Sequence, residues 1–234
     1  MKIKKIIFLI LLTAIVMMIP GPEQLGVLAG RTKAPLTIVI DAGHGGPDGG
    51  AEAADGTLEA DLNLSIAKAL EEEGRKRGIK IVMTRATADG LYAEDNTEKK
   101  WSKLEDMRCR KAAIEASEAD AALSIHMNSF SQDTAVRGAQ AFYPKAGNAE
   151  VLQKSEALSE SIQKHLVKGL DDGSNRVHMG KGDVYLLENP AIPIVLIECG
   201  FLSNPEDLSR LKRKQYQKKI AVCILNGVLE QMEI

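Results

Sequence analysis

Four side chains able to bind a metal or move a proton lie where the sequence predicts strands to end or a helix to begin. They are His44, Glu59, His126 and Glu198. Two imidazoles and one carboxylate, with a fourth position left open, form the ligand shell of a catalytic zinc site. A second carboxylate would take a proton from water and pass it to a leaving amine. The residue types leave open which glutamate is the ligand and which is the base.

Each of these residues also has an ordinary structural interpretation. His126 could be a hydrogen-bonded buried histidine, and Glu59 could simply favour the first turn of a helix. Glu198 ends the apolar run 194–197, where a carboxylate is costly to bury unless it is paired or binds a cation. Cys199 offers a thiol nucleophile as an alternative, but no histidine is obviously placed to activate it. The four residues together favour a metal site.

A glycine-rich loop carries the first of these histidines. It follows an apolar strand predicted from Leu36 to Asp41, and five of the eight residues 43–50 are glycine. Glycine lets the backbone adopt positive φ and approach a ligand closely. A phosphate-binding loop is the alternative, but no Gly-Lys-Ser/Thr follows and the G-x-G-x-x-G spacing is only partly met. We therefore interpret the loop as a rigid support for a metal-binding histidine.

The elements that must position these side chains alternate between strand and helix. Thr57 is the predicted N-cap of a helix that starts near Glu59 and ends at Gly74 and Gly78, and a second strand follows at 79–84. Further helices are predicted at 104–117, 150–167 and 215–229, and further strands at 121–126, 138–143, 184–187 and 194–198. This order predicts one α/β domain with a mostly parallel sheet. Because the carboxyl ends of parallel strands share one edge, the four residues should meet there.

The bulk composition excludes some functions. The chain has 234 residues, a formal net charge of -2 and 4% aromatic residues, so no nucleic-acid-binding surface is expected. Lysine and arginine at 212–214 and 218–219 are interpreted as a solvated helix face. The three cysteines, Cys109, Cys199 and Cys223, cannot all pair within one chain and include no C-x-x-C, which predicts no disulfide framework.

The first 29 residues have the pattern of a secretory signal. A basic start, Met1–Lys5, precedes an apolar run at 6–19, and Val27–Ala29 offers a small-residue cleavage site. An uncleaved N-terminal membrane anchor is the alternative, and either one predicts export across the membrane. Residues 30–35 would then be a linker, and 36–234 the catalytic domain.

Several motifs together resemble a known family. They are residues 40–50, Glu59, Thr84–Arg85, 124–128 and 197–204. In the same order and at matching spacing, they are similar to the zinc-dependent N-acetylmuramoyl-L-alanine amidases (amidase type 3) of bacterial cell walls. The family usually has proline where this chain has Ala42, and another small residue in place of Cys199.

The resemblance implies a single domain with a twisted, mostly parallel sheet and helices on both faces, of the phosphorylase/hydrolase-like kind. It makes His44, Glu59 and His126 the ligands of one Zn²⁺ and Glu198 the catalytic base. The implied substrate is peptidoglycan, and the bond cut joins the lactyl group of N-acetylmuramic acid to L-alanine of the stem peptide.

Within the family, the insertion at 88–103, the short chain and the lack of a separate wall-binding module resemble the sporulation branch. Those enzymes clip stem peptides in the spore cortex, which allows muramic lactam to form for germination. The implied location is the cell wall or the space between the spore membranes, with a sporulation protein as a partner. Two other functions stay open: a catalytically silent domain that binds peptidoglycan or regulates another hydrolase, and a zinc endopeptidase acting within the stem peptide.

Overall fold

A computed structural model of the chain describes residues 35–91 and 101–232. The elements in chain order are β1 (Thr37–Ala42), α1 (Glu59–Lys76), β2 (Lys80–Met83), α2 (Lys103–Ala116), β3 (Ala121–Asn128), β4 (Gln140–Pro144), α3 (Ala149–Leu170), β5 (Met179–Lys181), a 3₁₀ helix (Tyr185–Leu187), β6 (Ile194–Phe201), α4 (Pro205–Leu211) and α5 (Lys214–Gln231). The predicted signal or anchor at 1–29, the linker up to residue 34 and positions 92–100 of the insertion lie outside the described residues.

The strands form one six-stranded sheet in the order β2-β1-β3-β6-β4-β5. The first four are parallel to one another, whereas β4 is antiparallel to β6 and β5 is parallel to β4. The prediction of a mostly parallel α/β sheet is confirmed.

Helices cover both faces of this sheet, as expected. Alternate residues of β1 show the division, since Ile38 and Ile40 belong to the larger core whereas Val39 belongs to a smaller one. The larger core is completed by α1, α3 and α5, and the smaller core by α2 and the 3₁₀ helix. A strand covered on both sides buries every side chain, which explains why the central strands are continuously apolar.

Some sequence predictions of local structure are wrong. The segment predicted as a short strand at 184–187 is the 3₁₀ helix, closed by a hydrogen bond from the Leu187 N–H to the Val184 carbonyl (2.9 Å). The N-cap of α1 is Leu58 rather than Thr57, and it makes no side-chain capping bond. Gly74 lies inside α1, where a Cβ would approach Ile81 Cδ1 to 3.0 Å. Glycine there allows close helix–strand contact and does not end the helix.

One strand and one helix of the structure were not predicted from the sequence. The short edge strand β5 lies in the segment predicted as a loop at 171–182, and α4 follows β6 directly. Asn204 caps α4 by accepting hydrogen bonds from two backbone N–H groups, and Pro205 occupies its first turn. Cys199 lies within β6 rather than after it. In the part of the chain described here, no helix is both long and apolar enough to cross a membrane.

Candidate metal centre

The loop after β1 holds His44 in a fixed orientation. His44 has a φ of 60°, an uncommon left-handed conformation for a residue with a side chain. Gly45 and Asp48 pair through two backbone hydrogen bonds of 2.8 and 3.1 Å. The Asp48 carboxylate lies 2.8 Å from His44 Nδ1. Because Nδ1 is engaged there, the Nε2 atom is the one that faces Glu59.

Glu59, the first residue of α1, is the centre of the cluster. Its Oε1 atom lies 2.9 Å from His126 Nδ1 and 3.2 Å from His44 Nε2. The same carboxylate accepts hydrogen bonds from the N–H groups of Met127 (3.1 Å) and Ala51 (2.9 Å). Ligand atoms from the two histidines and this glutamate all lie within 4.8 Å of one another. The structure therefore brings together the three predicted ligands.

Interactions within the cluster keep the Glu59 carboxylate charged between the two imidazole rings. Burial alone would raise the pKa of Glu59, but hydrogen bonds and charge interactions with His126 and His44 lower it well below its usual range. Burial alone would lower the pKa of His44, but Glu59 and Asp48 raise it. A charged carboxylate between two imidazoles favours the binding of a cation.

Two glycines of the loop leave room for the ligands. A Cβ on Gly43 would lie 2.2 Å from both Cε1 and Nε2 of His126. A Cβ on Gly50 would lie 2.7 Å from Glu59 Oε2 and 2.8 Å from His44 Cδ2. The glycine content of this loop therefore serves close packing against the three side chains.

Glu198 lies beside the cluster on the neighbouring strand. It pairs in register with His126 across β3 and β6, and its Oε2 atom is buried without a hydrogen-bond partner among the described residues. Burial raises the pKa of its carboxyl group, with a further contribution from Glu59 against the opposing effect of His126. Glu198, His44 and His126 line one cavity of about 280 Å³. Glu198 is thus near the cluster without belonging to it.

The donor set fits a zinc ion. Atoms bound to one tetrahedral ion at about 2.0–2.1 Å lie about 3.3 Å apart, close to the separations of 2.9 and 3.2 Å observed around Glu59 Oε1. Two imidazole nitrogens and one carboxylate oxygen are ligands that zinc accepts in catalytic sites. A histidine whose second nitrogen is held by a carboxylate, as Asp48 holds His44, is typical of such sites.

Several supporting residues are not among those predicted from the sequence. Arg110, in α2, is buried and hydrogen-bonds to Asp41, Asp106 and the carbonyls of Ala42 and His44. Asp41 also accepts hydrogen bonds from Ser124 and Thr84. A charged residue at the end of an apolar strand was the available signal for Asp41. Asp106 and Arg110 have the i, i+4 spacing of a helical ion pair.

The thiol alternative finds no support in the geometry. Cys199 points to the opposite face of β6 from Glu198 and belongs to the larger core. Its burial raises the pKa of the thiol above its ordinary value. A protonated, buried sulfur is a poor nucleophile.

This fold and this cluster define a class: α/β enzymes with a candidate metal centre at the carboxyl edge of a mostly parallel sheet. The family model for N-acetylmuramoyl-L-alanine amidases (Amidase_3) matches residues 38–230. The chain belongs to this family and is an N-acetylmuramoyl-L-alanine amidase.

Individual relatives cover almost the whole described region. The germination-specific N-acetylmuramoyl-L-alanine amidase of Bacillus subtilis is 36% identical over 192 residues, which span 82% of this chain and 78% of that protein. The CwlD amidase from Clostridioides difficile, solved in complex with the GerS lipoprotein, is 40% identical with a TM-score of 0.77. That match covers 85% of this chain and 98% of the solved one. An N-acetylmuramoyl-L-alanine amidase from Clostridium difficile 630 is 27% identical, with a TM-score of 0.73 and coverage of 86% and 98%.

Proposed function

We propose that this amidase is zinc-dependent, with His44, Glu59 and His126 as the ligands of one zinc ion and Glu198 as the catalytic base. The observation that carries the proposal is the convergence of three ligand atoms within 4.8 Å of one another, beside a buried carboxylate oxygen that lacks a partner among the described residues. The geometry favours Glu59 as the ligand, since its Oε1 faces both imidazoles. Glu198 is then available for proton transfer.

The residues divide the work of amide hydrolysis. Bound zinc would polarise the scissile carbonyl and make water a stronger acid. Glu198 takes a proton from the attacking water and delivers it to the amide nitrogen, which leaves as the free amine of L-alanine. Asp48 keeps the proton of His44 on Nδ1, so that Nε2 presents its lone pair to the cluster. Burial favours the protonated form of Glu198 once it has received the proton, which suits its later role as a general acid.

The cavity that contains Glu198 is lined by both polar and apolar side chains. The polar residues include His44, His126 and Lys103, and the apolar residues are Met107, Val184, Leu186 and Leu196. Such a mixed cavity suits a substrate that combines an amide with small alkyl groups. The lactyl and alanyl methyl groups flank the scissile amide of the proposed substrate.

We further propose that the substrate is the peptidoglycan of the spore cortex, where removal of stem peptides prepares muramic lactam formation. The support is the name of the Bacillus subtilis relative, which describes it as germination-specific. The CwlD relative was solved with a lipoprotein, which supports a protein partner for this chain too. Residues 1–29 would act as the export signal or membrane anchor, 30–35 as a linker and 36–234 as the catalytic domain.

The assignment of Glu198 is tested by Glu198→Gln. We expect the variant to bind one zinc per chain and to hydrolyse the substrate about 10³-fold more slowly or worse, since the glutamine side chain cannot accept the proton from water. Zinc is counted by atomic emission, and hydrolysis by the release of new amino termini from peptidoglycan. Glu160→Gln, on an exposed position of α3, is the matched control and should keep full activity. Activity of the zinc-loaded Glu198→Gln variant would remove Glu198 as the base.

A further inference from the structure

One buried arginine outside the ligand set joins the segments that carry the ligands. Arg85 follows β2 and is only 5% exposed. Its guanidinium donates to four backbone carbonyls: Ala42 (2.8 Å), Gly43 (2.9 Å), Ala60 (2.9 Å) and Thr87 (2.9 Å). Within residues 35–91 and 101–232, no carboxylate lies within ion-pair distance of it, and Asp41, Asp106 and Asp61 act on its charge only from farther away.

Burial of this charge is costly. Burial, with the nearby charge of Arg110 adding to it, lowers the pKa of Arg85 to about 10, yet the group stays protonated at neutral pH. An apolar side chain could fill the space without the desolvation penalty of a buried cation. The presence of a guanidinium therefore indicates that its hydrogen bonds have a specific role.

The carbonyls that Arg85 binds are next to the metal ligands in the chain. Gly43 immediately precedes His44, and Ala60 immediately follows Glu59. One Nη atom of the guanidinium bonds to both of these carbonyls. Arg85 thereby joins the glycine loop that carries His44 to the start of α1, which carries Glu59.

The third ligand depends on the same point of the backbone. The Gly43 N–H donates to the Ile125 carbonyl (3.0 Å), one residue before His126. The ring of His126 packs against Gly43 so closely that a Cβ would overlap it. A displacement of Gly43 would therefore move His44 and change the surface against which the His126 ring packs.

We propose that Arg85 is a positioning residue of the metal centre, holding the His44 loop and the Glu59 helix in register so that the three ligands can bind zinc tightly. It acts through the backbone and makes no contact with substrate. The role is specific to arginine, because a lysine ammonium lacks the planar fork that reaches several carbonyls at fixed directions. This inference rests on the proposed zinc site.

The test compares zinc affinity in Arg85→Lys and Arg85→Gln with the wild type. Affinity is measured by competition with a chromogenic chelator, and the melting temperature of the metal-free protein reports folding. Loss of an outer partner of a metal ligand typically weakens metal binding about 10–100-fold, and we expect that range for Arg85→Lys. The control is Arg77→Lys, an exposed arginine whose guanidinium donates to Asn226, and it should bind zinc as the wild type does.

A kinetic measurement separates positioning from other roles. At saturating zinc, we expect kcat of Arg85→Lys to return to within about twofold of the wild type, because Glu198 is undisturbed. Unchanged zinc affinity in a folded Arg85 variant overturns the inference, and so does a kcat defect that saturating zinc does not repair. Failure of the wild type itself to bind zinc would instead overturn the proposed function. If Arg85→Lys does not fold, the zinc titration of Arg85→Gln decides the question.

Discussion

Replacement of Gly43 by alanine should destroy the metal site while leaving the fold intact. The added Cβ would lie 2.2 Å from Cε1 and Nε2 of His126 and 2.8 Å from its Cδ2. Optimal contacts between such atoms are about 3.5–4.0 Å, so the ring must retreat by more than about 1 Å. Metal–ligand distances tolerate about 0.2 Å. The backbone of Gly43 is not in the positive-φ region, so the effect is due to overlap and not to backbone strain.

The expected consequence is a large loss of zinc affinity with a modest loss of stability. Overpacking costs about 1–3 kcal/mol, whereas displacement of a metal ligand should weaken zinc binding by more than about 100-fold. Chelator competition measures the affinity, and urea unfolding of the metal-free protein measures the stability.

Gly49→Ala provides the matched control in the same loop. Its Cβ would meet only the flexible end of Leu58, at 3.2 Å, and zinc affinity should stay within about threefold of the wild type. Wild-type zinc affinity in Gly43→Ala would refute the placement of His126 in the metal shell.

Three further predictions follow from the same structure. His126→Ala should purify with less than one zinc per chain under conditions that saturate the wild type, and elemental analysis would show it. Removal of zinc by a chelator should abolish hydrolysis and lower the melting temperature by about 5–10 °C relative to protein at a zinc concentration 100 times Kd, with both effects reversed by added zinc. Burial alone would raise the pKa of Asp41, but Arg110, with help from other neighbours, lowers it below its ordinary value of 3.8. The contribution of the charged Asp41 to folding stability is therefore complete above about pH 4, and it is lost as pH falls through the lowered pKa. Asp41→Asn removes one of the two buried carboxylates that pair with Arg110, while Asp106 remains. It should cost about 1.5–3 kcal/mol at pH 7, and the free energy of unfolding of the metal-free protein, measured in urea, should then vary less with pH in the acid range.

The sequence predicted the central part of the fold because local pattern and tertiary environment agree there. Strands β1, β3 and β6 are buried on both faces, and their apolar runs are visible without a structure. The edge of the sheet lacks such an apolar run, since β5 is three residues long and carries Met179, which is 49% exposed. A strand so short has no periodicity from which to predict it.

The candidate ligands could be chosen from the sequence because parallel strands end at a common edge. What could not be predicted is how the backbone between them is held. Arg85 was visible as part of a family motif, yet three of its four carbonyl acceptors, in Ala42, Gly43 and Ala60, are 25 to 43 residues from it in the chain. Arg110 lies in the helix α2, which the sequence offered no reason to place against the glycine loop.

Mass spectrometry of spore cortex peptidoglycan after digestion by the zinc-loaded chain, with Glu198→Gln as the control, tests the proposed zinc-dependent hydrolysis. Free stem peptides that begin with L-alanine, together with peptide-free muramic acid, should appear with the wild type and not with Glu198→Gln. Cuts within the stem peptide would indicate an endopeptidase on the same site. An intact substrate, with zinc bound and the fold preserved, would contradict the proposed hydrolysis and favour a binding or regulatory domain.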